Sequence, residues 1–110
     1  MAKWADYVIT AVGFNASNTH IVEVEIRPDD GNAIGPARRA PRLDVVRAIR
    51  AGTTFVTAFE RGGKWQRGED VRVIQIDQEY FIRTDANAIR ADNLGALPRL
   101  PMGAGAWGGR

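Results

Sequence analysis

The sequence predicts an α+β fold: a five-stranded, mainly antiparallel, strongly twisted sheet, or a partial barrel, with one packed helix. Three observations lead there. Five segments carry β-branched and aromatic residues in runs that suit pleated strands. Only one segment, Arg42 to Ala51, repeats its apolar residues at helical spacing. Strands apolar on both sides exceed what one helix shelters, so the sheet is expected to curl on itself or to borrow cover from a second copy. The expected element order is β-β-α-β-β-β.

The first strand is Asp6–Phe14. Val8, Thr10, Val12 and Phe14 share one face and Tyr7, Ile9 and Ala11 the other, which predicts a central strand covered on both sides. The second, His20–Arg27, alternates. Val22, Val24 and Ile26 are expected inward, and Glu23, Glu25 and Arg27 outward. It pairs with the first as a hairpin through the turn residues Asn15–Asn18. Pro28 stops it, and residues 28–41, with three prolines and two glycines, read as a long loop.

Pro41 suits the first turn of the helix that follows. Leu43, Val46 and Ile49 form its expected buried stripe, flanked by Val45. Asp44 near the start and Arg50 near the end complement the macrodipole, and Gly52 ends it. Thr53–Glu60 is the third strand, and Arg61-Gly62-Gly63 turns the chain. Lys64 to Arg67 leads through Gly68 to Val71–Ile76. The apolar phase slips near Val73 there, so a bulge or cover on both faces is expected. Asp77-Gln78-Glu79 connects tightly to the last strand, Tyr80–Thr84. The domain is taken as residues 1–98 and residues 99–110 as a Gly- and Pro-rich tail.

The length of 110 residues fits one domain. Cysteine is absent, so no disulfide framework forms. The amino end lacks the apolar run of a signal peptide, and no apolar run approaches the ~20 residues of a membrane span. A cytoplasmic location and no membrane partner are therefore expected. Net charge is +2 but unevenly spread: residues 1–37 hold two basic and five acidic groups, and residues 38–72 hold nine basic and four acidic. The middle third carries the positive field.

Seven stretches, ADYVITAV (Ala5–Val12), HIVEVEI (His20–Ile26), VVRAIRAG (Val45–Gly52), TFVTAF (Thr54–Phe59), GKWQRGEDV (Gly63–Val71), YFIRTDAN (Tyr80–Asn87) and DNLGALP (Asp92–Pro98), resemble a family of short bacterial proteins catalogued only as a domain of unknown function. The resemblance implies one intact domain ending near Pro98 and carries no activity and no catalytic residue. Ala37–Pro41 and the stretch after Arg99 depart from the family's pattern.

With no cysteine and a single histidine, His20, the chain cannot build a three- or four-ligand nitrogen/sulfur zinc site by itself. No metal, no cofactor and no catalytic residue are assigned. Gly103 to Gly108 spells G-x-G-x-x-G but lacks the strand before and the helix after that a dinucleotide fold needs. Asn15-Ala16-Ser17 matches a glycosylation sequon and reads as a turn.

Three readings of function remain. The leading one is a non-enzymatic binding module for an unidentified protein partner or a second copy of the chain. The first alternative is a nucleic-acid-binding β-domain. There Lys64, Arg67, Arg72 and Arg83 would meet phosphates while Trp65 stacks on a base. Glu69 and Asp70 interrupt that patch. The second is a cation-dependent enzyme on the oxygen-rich cluster Asp85, Asn87, Asp92 and Asn93, whose competing reading is turn chemistry. Arg38, Arg39, Arg42, Arg47 and Arg50 face only Asp44 within their segment and read as a solvated face or an acid-binding surface.

Overall fold

The computed structural model describes residues 3–16, 21–85, 92–95 and 97–100. Asn87, His20 and the glycine-rich stretch around Trp107 lie outside them. The elements are β1 (Tyr7–Phe14), β2 (Ile21–Pro28), β3 (Arg38–Pro41), α1 (Arg42–Arg50), β4 (Phe55–Arg61), β5 (Lys64–Asp70), β6 (Arg72–Ile76) and β7 (Glu79–Arg83). The α+β class holds. The strands are divided between a five-stranded sheet, order β3-β2-β1-β4-β5, and a two-stranded ribbon of β6 and β7. In the large sheet β1 and β4 run parallel and every other neighbouring pair is antiparallel.

β1 is central, as its two apolar faces require. It pairs with β2 as the expected hairpin, in a register broken twice by bulges. One bulge corrects a sequence expectation. Gly13 pairs with Glu23 and Phe14 with Ile21, so Val22 is the extra residue; it is 47% exposed while Ile21 takes its place in the core.

The loop expected over residues 28–41 is structured in part. Asp29 bridges Ile34, and β3 pairs with β2 from Glu23↔Pro41 to Ile26↔Arg38. Pro41 therefore ends a strand and serves as the N-cap of α1, with extended φ −60° and ψ 147°, rather than sitting inside the first turn. Gly52 follows the helix at φ 106° and donates to the Ile49 carbonyl, as expected of a C′ glycine. The helix turns Val45 and Val46 inward, leaves Ile49 half-buried and exposes Leu43 by 53%. Arg42 explains the difference: at 100° per residue it lies on the Val45–Ile49 side, and its ion pair rotates that side inward.

The phase slip before Ile76 marks a change of sheet. β5 ends at Asp70, Val71 donates to the Phe55 carbonyl from a buried position, and β6 pairs with β7 without a bulge from Arg72↔Arg83 to Ile76↔Glu79. Val73, Ile74 and Ile76 are all half-buried, so it is cover on both faces that breaks the alternation. The turn Asp77-Gln78 takes positive φ at Asp77, 57°, which an Asx residue tolerates.

The sheet does not close into a barrel. One face lies under α1 and the ribbon. Ile9, Val24, Ile26 and Phe55 from the sheet, Val45 and Val46 from the helix, and Val71, Ile82 and Leu94 from later segments form this main core. Val8, Val56 and Ala58 face the other way. Among the described residues Ala5, Ile34 and Trp65 pack against them, and no helix or second sheet lies over them. Both exposed edges are blunted: β3 is four residues long and carries Arg38, Arg39 and Pro41, and β5 carries Lys64, Arg67, Glu69 and Asp70. No helix among the described residues is long and apolar enough to cross a membrane.

Candidate functional site

The basic residues singled out in the sequence come from two strand systems. Lys64, Trp65 and Arg67 lie on the edge strand β5, where alternation sends Lys64 to the face opposite Trp65. Arg72 and Arg83 lie in the ribbon, directly across from each other. Arg72 is exposed. Arg83 is 3% exposed and its guanidinium binds Asp85 through Nε and Nη2 at 2.7 and 3.1 Å. That carboxylate raises the Arg83 pKa above its ordinary value. Arg67 pairs with Asp70 at 2.6 Å, and the Arg27 guanidinium already lies 5.0 Å from the centre of the Trp65 ring.

The oxygen-rich cluster is likewise engaged. Asp92 accepts from Nε and Nη2 of Arg42 at 2.6 and 2.9 Å and from the Ile82 N–H at 2.8 Å. Arg42 also donates to the Tyr80 carbonyl. Helix α1, strand β7 and the segment at Asp92 are thus fastened by one side chain. Asn93 accepts from the Gly95 N–H at 3.0 Å in an Asx turn. Among the described residues no three His, Cys, Asp or Glu groups are arranged to hold a metal ion.

A different constellation converges on the helix-free face. Trp4, Asp29, Gly31, Asn32, Ala33, Ile34 and Trp65 line an open cleft of about 210 Å³. The segment before β1 brings Trp4 there and is held at several points. The Trp4 N–H donates to Asp29 Oδ2 at 2.7 Å, and the Asp29 N–H donates to the Asp6 carbonyl at 3.1 Å. Asp6 accepts from the Thr54 N–H at 2.9 Å and pairs with Lys3 at 3.0 Å. The Thr54 bond and the lysine together hold the Asp6 carboxyl below its ordinary value.

The turn after β2 builds the opposite wall. Asp30 Oδ1 accepts from the N–H groups of Asn32 and Ala33 at 2.8 and 2.9 Å, which lowers its pKa. Asp29 Oδ1 accepts from the Gly31 N–H at 3.0 Å. Trp65 supplies the remaining side and rests on the Val8, Val56 and Ala58 cluster. Trp4 is exposed and Trp65 half-buried. Of these residues the sequence reading selected only Trp65. Trp4 and Asp29 stand 25 residues apart, and no local pattern announces their meeting.

These features define a small α+β domain with a mixed sheet, a helix-covered face, and an aromatic cleft on the opposite face. Residues 8–98 match the family model described as "Protein of unknown function (DUF3892)", and the chain belongs to that family. No curated protein and no solved structure matches the chain. Trp65 and Asp29 fall inside the matched residues and Trp4 outside them.

Proposed function

We propose that this protein is a non-enzymatic binding module that seats one side chain of a macromolecular partner in the cleft between Trp4 and Trp65. The observation that carries this reading is a pair of accessible tryptophans lining one open cleft over a sealed apolar cluster. Tryptophan is enriched among the residues that dominate binding energy, where its large ring is desolvated in a pocket. The cleft's volume, about 210 Å³, falls short of the ~300–1,000 Å³ typical of small-molecule sites. It suits a protruding side chain better than a whole metabolite.

The nucleic-acid reading has less support. Of its five residues, Arg83 is buried on Asp85 and Arg67 is paired with Asp70. The enzyme reading has less still, since Asp85 and Asp92 are each bound to an arginine. Self-association by strand addition is disfavoured by the blunted edges of β3 and β5.

Panning a random-peptide library on the folded protein tests the proposal. The enriched peptides are expected to bind Trp4→Ala at least about tenfold more weakly. That variant spares the core because Trp4 is exposed. If every enriched peptide binds Trp4→Ala as tightly as wild type, the cleft is not the contact surface. If instead single-stranded oligonucleotides bind with a steep salt dependence that Lys64→Ala and Arg72→Ala reduce, the nucleic-acid reading replaces it.

A further inference from the structure

We infer that the group seated in the cleft is a cation, the guanidinium or ammonium of an arginine or lysine on the partner; this rests on the binding-module reading and names the chemistry of its contact. Asp29 is the reason. The residue is among those that line the cleft although it is only 7% exposed. A carboxylate offers about four lone-pair positions. Two backbone donors, Trp4 and Gly31, take up part of that capacity. Among the described residues no cation pairs with it: the nearby Lys3 pairs with Asp6, and Arg27 lies near Glu25 and donates to the Gly35 carbonyl.

Among the described residues no counter-charge stands beside this carboxylate, and the lone-pair positions its two backbone donors leave open can accept from a cation. A cation entering the cleft supplies the missing charge. It also meets aromatic rings whose electron-rich faces attract positive groups. Trp65 already shows this attraction, holding Arg27, a residue that does not line the cleft. An anionic side chain would meet the like charge of Asp29. A neutral apolar one would fill the walls and leave Asp29 unpaired.

The test follows the indole N–H signals of Trp4 and Trp65 by NMR, assigned through Trp4→Phe and Trp65→Phe, in the 110-residue chain. N-acetylarginine amide is compared with N-acetylcitrulline amide, which has nearly the same shape and no charge. The arginine compound is expected to shift both signals saturably, and the citrulline compound to bind at least about tenfold more weakly. Asp29→Asn is expected to weaken arginine binding by a similar factor. Equal binding of the two compounds, no saturable shift with arginine up to about 100 mM, or undiminished binding to folded Asp29→Asn would each overturn the inference. If Asp29→Asn fails to fold, the arginine–citrulline comparison on wild type decides alone. Library peptides that need Trp4 yet tolerate arginine replaced by citrulline would sink the cation assignment and leave the binding module standing.

Discussion

The two faces of the five-stranded sheet are built by different means. The face under α1 and the β6–β7 ribbon is closed by secondary structure, with Ile9, Val24, Val45 and Ile82 almost or wholly inaccessible. The opposite face buries Val8, Val56 and Ala58 just as fully, yet its cover is a few side chains and the segment Lys3–Asp6. A closed layer gives redundancy, because losing one contact leaves many others. A cover of single side chains leaves gaps between them, and the Trp4–Trp65 cleft is such a gap. Apolar alternation on both faces of β1 therefore did not require a barrel: small residues such as Ala5 and Ala58 let a thin cover suffice.

The largest expected effect falls on the closed face. Asp92→Ala removes the partner of Arg42 and the acceptor of the Ile82 N–H together. Breaking a mostly buried ion pair from one side leaves the other charge stranded, so the loss of stability is expected to be about 3 kcal/mol. Urea denaturation measures it. The comparison between faces is sharpened if the native state of Asp92→Ala keeps the Trp4 and Trp65 indole signals of wild type. It breaks if those signals move, since the cleft would then depend on the helix side.

A smaller loss is expected where the large sheet ends. An ideal Cβ at Gly68 would lie 2.2 Å from Thr57 Oγ1, the same oxygen that accepts the Glu69 N–H at 2.9 Å. Gly68→Ala forces one strand away from the other and is expected to cost about 2 kcal/mol. Thr57→Ala in the same chain should recover part of that, a coupling that a double-mutant cycle in urea reads directly. Full additivity of the two changes would show that Gly68 and Thr57 do not press on each other.

The closed face was far more legible in the sequence than the open one. Central β1, the hairpin with β2, the helix and its Gly52 ending all follow from local periodicity and turn chemistry, which the folded chain obeys. The change of sheet at Val71 was harder, because Lys64–Asp70 is nearly all polar and so carries no alternation to mark where one strand stops. Leu43 and Val22 were misplaced because a charged Arg42 anchors the helix and a bulge shifts β2. The acidic residues near Asp92 suggested a metal site in isolation. Arg83 stands two residues before Asp85, but Arg42, the partner of Asp92, comes from α1, 50 residues away, and only the fold brings it close. The cleft joins Trp4, Asp29 and Trp65 from three separate segments, and nothing local in any of them announces the others.

The smallest effect concerns the segment that carries Trp4. The Thr54 N–H bond, with Lys3 helping, lowers the Asp6 pKa beneath its ordinary 3.8. A carboxyl lowered in the folded state contributes stability that is complete above that ordinary value and is lost as pH falls through the lowered one. Asp6→Asn keeps an acceptor but loses the charge, so it is expected to melt slightly below wild type near about pH 6. The difference should vanish below the lowered pKa, where wild type has lost the same charge. Asp30 is lowered too and adds to the acid sensitivity of both proteins, leaving their difference to report Asp6. Melting temperatures across the acid range check this. Hydrogen exchange at the same pH values locates the loss. The amides of Trp4 and Thr54, at the attachment of the Trp4 segment, should lose protection before those of Ile9 and Ile26. If acid instead exposes the closed face first, or the gap between wild type and Asp6→Asn persists at about pH 2, then the thin cover is not the weaker side of the molecule.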